Sequence, residues 1–339
     1  MKRKIVSLGK SSLVVSLPKS WIKMHTLKKG DDVSLNIQQD HSLLISPDVK
    51  KVRESKECTL NVDANEKATS LARKIIGCYL NGYSRVKVLS EKIFSVTQRK
   101  AIRNIVRILY MRIMEADSKT MLIQTLIDES RASLDLAIQR MQLISRSMCR
   151  EALEALKNQD AMLAKSTFSL DDDVDHFSFF LIRLLRDAAQ DSTLANQLEV
   201  DALECMDYQT LVYRVEYAAD QAANIAKQIV MLKGSGLEIL DELLTLLFTA
   251  GTEAVNLYEK ALTAFSSRNV EDSINIIEQK KRIEELDRRI ASMTFMKKQK
   301  NAIIVCSICS IRGSIKGIAD CAVNIAEVAI NWAYRRPIY

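Results

Sequence analysis

Residues 219–226 read A-D-Q-A-A-N-I-A and residues 319–326 read A-D-C-A-V-N-I-A, so six of eight positions recur one hundred residues apart. Fixed-period self-similarity constrains a fold strongly, because each copy has to bury the same face against equivalent neighbours. The repeat extends upstream at another offset. Ala152, Leu153, Ala155 and Leu156 face Ala261, Leu262, Ala264 and Phe265 across 109 residues, as do Val174 with Ile283 and Asp175 with Glu284. The fall from 109 to 100 puts a net nine extra residues between the second and third helices of the first copy, in the polar stretch around Asp191–Gln197. Length changes of this kind collect in loops. Each copy is then three helices.

From Asp128 onward apolar residues recur at spacings of three and four, and helices are expected over 129–157, 160–189, 199–232, 237–266, 270–296 and 299–335. The three prolines, Pro18, Pro47 and Pro337, leave this region uninterrupted. Gly234 and Gly236 separate the copies, and Gly313 and Gly317, one turn apart, are expected to permit close helix approach. Seven scattered cysteines suit a reducing cytoplasm, and Cys306-x-x-Cys309, without a second pair, reads as core packing. The longest apolar run, near Ile303–Ile311, is broken by Ser307 and Ser310, so no membrane span is expected. There is no signal-peptide pattern, and the chain reads as cytoplasmic. It holds no G-x-x-x-x-G-K-[ST] loop and only three histidines, none at ligand spacing from another, which argues against an enzyme.

The first thirty residues carry eight cations (Lys2, Arg3, Lys4, Lys10, Lys19, Lys23, Lys28, Lys29) and no acid, as a polyanion-binding end would. Strands are expected over 3–8 and 12–17 around Gly9-Lys10-Ser11, then a short helix Lys19–Met24 opened by Pro18. Alternating Val33, Leu35 and Ile37 and then Leu43–Ile45 follow. Trp21, on the short helix, reads as a packing residue. Four strands in under fifty residues make a poor core alone, so a partner subunit is expected to supply the rest. Residues 57–127 read β-α-β-α-β-β: Cys58–Val62, Glu66–Leu80 capped by Asp63, Arg85–Leu89, Val96–Leu109, Arg112–Glu115 and Met121–Leu126. This is a small α+β layer with helices on one face, and Arg99, Lys100, Arg103 and Arg107 read as a solvated basic face.

The run S-L-V-V-S-L-P-K-S-W at 12–21, with L-K-K-G-D at 27–31 and L-L-I-S-P at 43–47, resembles the AbrB/SpoVT/MazE swapped-hairpin domains. That resemblance implies an intertwined homodimer contacting duplex DNA, here through Arg3, Lys4, Lys10, Lys19 and Lys23.

Glu216, Asp220 and Asn224 share one helical face; Lys316, Asp320 and Asn324 are their second-copy partners, with Glu327 one turn on. The preceding helix of the first copy adds Asp171, Asp172, Asp173 and Asp175, beside His176. Carboxylates from facing bundle helices can build metal sites or simply face solvent and form ion pairs. The E-x-x-x-D and A-D-x-A-x-N-I-A patterns, with D-D-x-V-D before them, resemble the PhoU phosphate-signalling regulators, and the whole chain resembles archaeal-type regulators that fuse an AbrB-like domain to PhoU.

The resemblance implies two tandem three-helix bundles with a divalent or ferric ion (Mg, Mn, Zn or Fe) on each acidic face. The ligands would be Asp172, Asp175, Glu216 and Asp220 in the first copy, and Asp320 and Glu327 in the second. Lys316 replaces an acid there and is expected to neutralise Asp320, so the first site should be the tighter. The expected architecture is multidomain and mainly α: a swapped-hairpin β domain (1–47), an α+β domain (55–127) and two bundles (128–233 and 236–339). The function implied is a non-enzymatic, DNA-binding regulator of phosphate uptake. The alternative is a dimeric scaffold that does not bind DNA and docks its bundles on a phosphate transporter or sensor kinase.

Overall fold

The computed structural model describes residues 2–9, 12–37, 42–47, 56–63, 65–126, 132–296 and 301–335. The chain forms two compact units, Met1–Glu54 and Ser55–Pro337.

In the first unit, strands β1 (Val6–Leu8) and β2 (Ser12–Val14) pair antiparallel with Val6 opposite Val14. Both are shorter than their alternation suggested. Gly9, at φ +72°, takes the left-handed turn conformation that a side chain would disfavour. Pro18 precedes helix α1 (Lys19–Met24), whose Trp21 stacks on His25 with ring centroids 4.9 Å apart. Strands β3 (Val33–Ile37) and β4 (Leu43–Pro47) form a second antiparallel pair. Every side chain described in this unit is at least partly accessible, and none is buried. Trp21 is therefore half-buried rather than a core residue.

The second unit opens with the expected β-α-β-α-β-β order. It comprises β5 (Glu57–Val62), α2 (Ala68–Leu80), β6 (Arg85–Ser90), α3 (Val96–Ile108), β7 (Met111–Ala116) and β8 (Thr120–Thr125), with sheet order β5-β6-β8-β7. Only β5 and β6 are parallel, as a helical crossover requires. Leu71, Ile75 and Tyr79 of α2 and Ile102, Ile105 and Val106 of α3 pack on Val86, Val88, Met121 and Ile123, which share one face of the sheet. Ser95 and Gln98 cap α3 reciprocally, and the buried Gln98 amide also donates to the carbonyls of Asp63 and Glu66. Asp63 does not cap α2: its carboxylate accepts from the Asn65 backbone, and α2 starts after Lys67.

The remainder is helical: α4 (Leu134–Asn158), α5 (Ala161–Ser169), α6 (Asp171–Ala188), α7 (Ser192–Gln197), α8 (Ala202–Gly234), α9 (Asp241–Ser267), α10 (Val270–Met296) and α11 (Ala302–Ala333). The second helix expected in the first copy is two, broken at Leu170. The extra length lies where the offset change placed it, in the thirteen residues (189–201) that join α6 to α8. It is the short helix α7, capped by Asp191, and not a loop.

The copies match beyond their letters. Gln159 and Arg268, 109 residues apart, both end a long helix in the left-handed conformation at φ 47° and 54°. Each is followed by a side chain that accepts from the next helical turn, Asp160 and Asn269. Ala219, Ala222, Ile225 and Ala226 are buried, as are Ala319, Ala322, Ile325 and Ala326. A single core runs through both copies, and the Ser145 hydroxyl joins them by hydrogen bonds to Tyr258 Oη (2.9 Å) and the Val215 carbonyl (3.2 Å).

Gly317 does admit a neighbour, since a Cβ there would lie 2.9 Å from Gln221 Cγ, but Gly313 faces open space. The tightest approach is at Gly251, where a Cβ would meet Leu153 Cδ2 at 2.4 Å. Cys306 and Cys309 are exposed, which overturns the core reading of that pair. By length and composition α11 could cross a membrane, with mean hydropathy 1.6 over eighteen residues. Half of that window is buried, and Ile308, Ile311, Ile315 and Ile318 lie in the bundle core.

Candidate functional site

Helices α6 and α8 pack together and bring one acidic face of each to a shared groove. On α6 that face is Asp171 and Asp175, four residues apart; on α8 it is Glu216 and Asp220, again four apart. The first three are half-buried and Asp220 lies at the exposed rim. Loss of water first, and then the charges of the neighbouring carboxylates, push Asp171 up to about 6, Asp175 to about 7 and Glu216 to about 7. Burial also raises Asp220. No lysine or arginine is among the charges that shift these four groups. The groove therefore holds uncompensated negative charge on hard oxygen donors, which suits a hard cation. Among the described residues, no three acid, imidazole or thiol groups converge on one point as metal ligands would.

Asp172 is not part of this groove. It accepts from Arg107 Nη2 at 2.6 Å, on the side facing α3, and Asp171 takes the place expected for it. Beside it, His176 is buried against the Tyr110 ring, with centroids 4.5 Å apart, and burial lowers its pKa. The same helix is anchored further along. Arg183 donates to the carbonyls of Tyr79 (2.7 Å) and Tyr83 (3.0 Å), and Arg186 Nε donates to that of Leu80 (2.9 Å). Two cations thus satisfy carbonyls at the C-terminal end of α2, where the helix dipole favours positive charge. Helix α6 carries half of the acidic groove and is also the seam to the α+β layer.

The second copy is built otherwise. Asp320 is held by Lys280 of α10, Nζ to Oδ1 2.8 Å, and not by Lys316, which is exposed. Glu284 lies 4.0 Å from the same ammonium. The hydrogen bond to Asp320 raises the Lys280 pKa, aided by the charges of Asp320, Glu284 and the exposed Glu327. Asp171 stands among the acids of that helix but not among the expected ligands, and Lys280 is not among the expected site residues. The signal was present, since the 109-residue offset that pairs Asp175 with Glu284 also pairs Asp171 with Lys280.

Of the residues expected to contact DNA, Arg3 and Lys4 precede β1, and Lys19 and Lys23 sit one turn apart on α1; all four are exposed. Lys10 lies outside the described residues.

The PhoU domain family matches residues 138–229 and 248–329, spans of 92 and 82 residues out of 339. The chain belongs to the PhoU family. Residues 6–54 match a second family, antidote-toxin recognition MazE, bacterial antitoxin, so this PhoU chain carries an N-terminal MazE-type domain. Among solved structures, PhoU from Pseudomonas aeruginosa is 19% identical with a TM-score of 0.51, covering 58% of this chain and 93% of that one. The phosphate transport system regulatory protein PhoU from Streptococcus pneumoniae is 20% identical with a TM-score of 0.48, covering 58% and 91%. The fold likeness rests on the first of these. No curated protein sequence matches significantly.

Proposed function

We propose that this protein is a cytoplasmic, non-enzymatic regulator of phosphate uptake that binds duplex DNA through a homodimer of its N-terminal units. The PhoU bundles would be its sensing or partner-binding part. The observation that carries the reading is the N-terminal unit itself: eight cations and no acid in thirty residues, on a β framework in which no described side chain is buried. A second copy interleaved with the first would cover the apolar strands and double the charge. Membership in the PhoU family supports the link to phosphate.

In the first bundle, Asp171, Asp175, Glu216 and Asp220 would hold a divalent or ferric ion (Mg, Mn, Zn or Fe). Such an ion would supply the positive charge that these carboxylates lack, drawing α6 and α8 together. Because α6 is also the seam to the α+β layer, ion binding would stiffen that contact.

The test is duplex binding as a function of salt. Log affinity should fall with log salt by roughly 0.9 for each phosphate contacted. Steep salt-dependent binding, lost when Arg3, Lys4 and Lys10 are changed together to Ala, is the expected result. No binding at low salt would favour a dimeric scaffold that docks its bundles on a phosphate transporter or sensor kinase.

A further inference from the structure

We infer that Lys280 is a built-in counter-cation for the second copy, and that together with Lys316 it decides which copy accepts a metal ion. This rests on the reading of the first groove as a metal site. The offsets of the repeat set the comparison residue by residue. Across 109 residues Lys280 stands for Asp171 and Glu284 for Asp175; across 100 residues Lys316 stands for Glu216 and Asp320 for Asp220. Four equivalent places thus carry four carboxylates in the first copy, but two carboxylates and two ammonium groups in the second. Fully ionised, those sets sum to −4 and 0.

The geometry agrees. Lys280 Nζ is 2.8 Å from Asp320 and 4.0 Å from Glu284, the two acids that survive at these places, and it feels Glu327 as well. A lysine ammonium is a compact point charge with three donors and no acceptor, so it can satisfy clustered carboxylates much as a small cation does. Unlike a bound ion it cannot be removed by a chelator. An entering metal would have to displace Lys280 from Asp320 and then sit beside two positive charges. No lysine or arginine is among the charges that shift the first copy's four carboxylates, which burial and, for three of them, their acidic neighbours raise instead.

The experiment is Mn²⁺ titration of the full chain after stripping with chelator, for wild type, Lys280→Asp with Lys316→Glu, and Asp171→Lys. Wild type should take one ion per chain and the double variant two, the added ion being lost on Asp320→Ala. Asp171→Lys should take none and should melt higher than wild type in chelator at pH 8, because an ammonium now compensates Asp175, Glu216 and Asp220. If wild type takes no ion but the double variant takes one that Asp320 requires, the metal reading of the first copy fails while the role of Lys280 stands. Two ions in wild type, or a folded double variant that gains none, would overturn the role of Lys280. Should the double variant not fold, Asp171→Lys decides alone: an unchanged or lower melting temperature in chelator overturns the inference.

Discussion

Ala219, Ala222, Ile225 and Ala226 lie buried within one chain, whereas Leu13 and Ile37, in equally regular apolar patterns, are each 73% exposed. The two units differ in how much of their own apolar surface they cover. A helix repeating at three and four presents one stripe, and the tandem copy supplies the complementary stripe in the same chain. A pair of short hairpins has too little surface to cover its own apolar face, and isolated two-stranded pairs are marginal in water. The helical unit has a buried core of its own, and among the described residues the N-terminal unit has none. Substitutions in the first should therefore change melting at any protein concentration, and those in the second should change assembly and DNA binding while helix content holds.

The largest effect is expected at the seam. Arg183→Ala removes a buried guanidinium from two carbonyls, a loss on the order of 3 kcal/mol. Its melting temperature should fall by several degrees, read by circular dichroism. Gly251→Val should cost roughly 1–3 kcal/mol, because Leu153 already occupies the space its side chain needs. Gly313→Ala, facing open space in a helix, should instead stabilise by about 1 kcal/mol.

A smaller effect tests the acidic groove. Asp171, Asp175 and Glu216 have pKa values raised on folding, so between the unfolded values near 4 and the folded values of about 6 to 7 the native state binds more protons. In metal-free buffer stability should rise as pH falls from 8 through 6, and Asp175→Asn with Glu216→Gln should flatten that dependence. A flat profile in wild type would mean that Asp171, Asp175 and Glu216 are not raised by a shared, half-buried groove. Smallest in stability terms, Lys19→Ala with Lys23→Ala should leave melting unchanged yet flatten the salt slope of duplex binding.

Much of the fold was legible because the repeat ties each helix to a partner elsewhere in the chain. The tenth helix runs Val270–Met296, the span its periodicity predicted. The break at Leu170 was not legible, since Leu170 continues the apolar stripe and only the three-dimensional course separates α5 from α6. Asp171 and Asp172 differ by about 100° around the helix. Composition cannot say which of them meets Glu216, but the equivalence with Lys280 can. Strand alternation alone does not say what covers an apolar face, but four strands in under fifty residues already implied a poor core, and Leu13 and Ile37 are exposed as that implies.

Sedimentation equilibrium of the full chain beside a variant lacking residues 1–54 tests the incompleteness of the N-terminal unit most directly. The full chain should sediment at twice its 38.3 kDa mass, and the truncated chain as a folded monomer. A full chain at 38.3 kDa, or a truncated chain that keeps the same assembly state, would contradict the account.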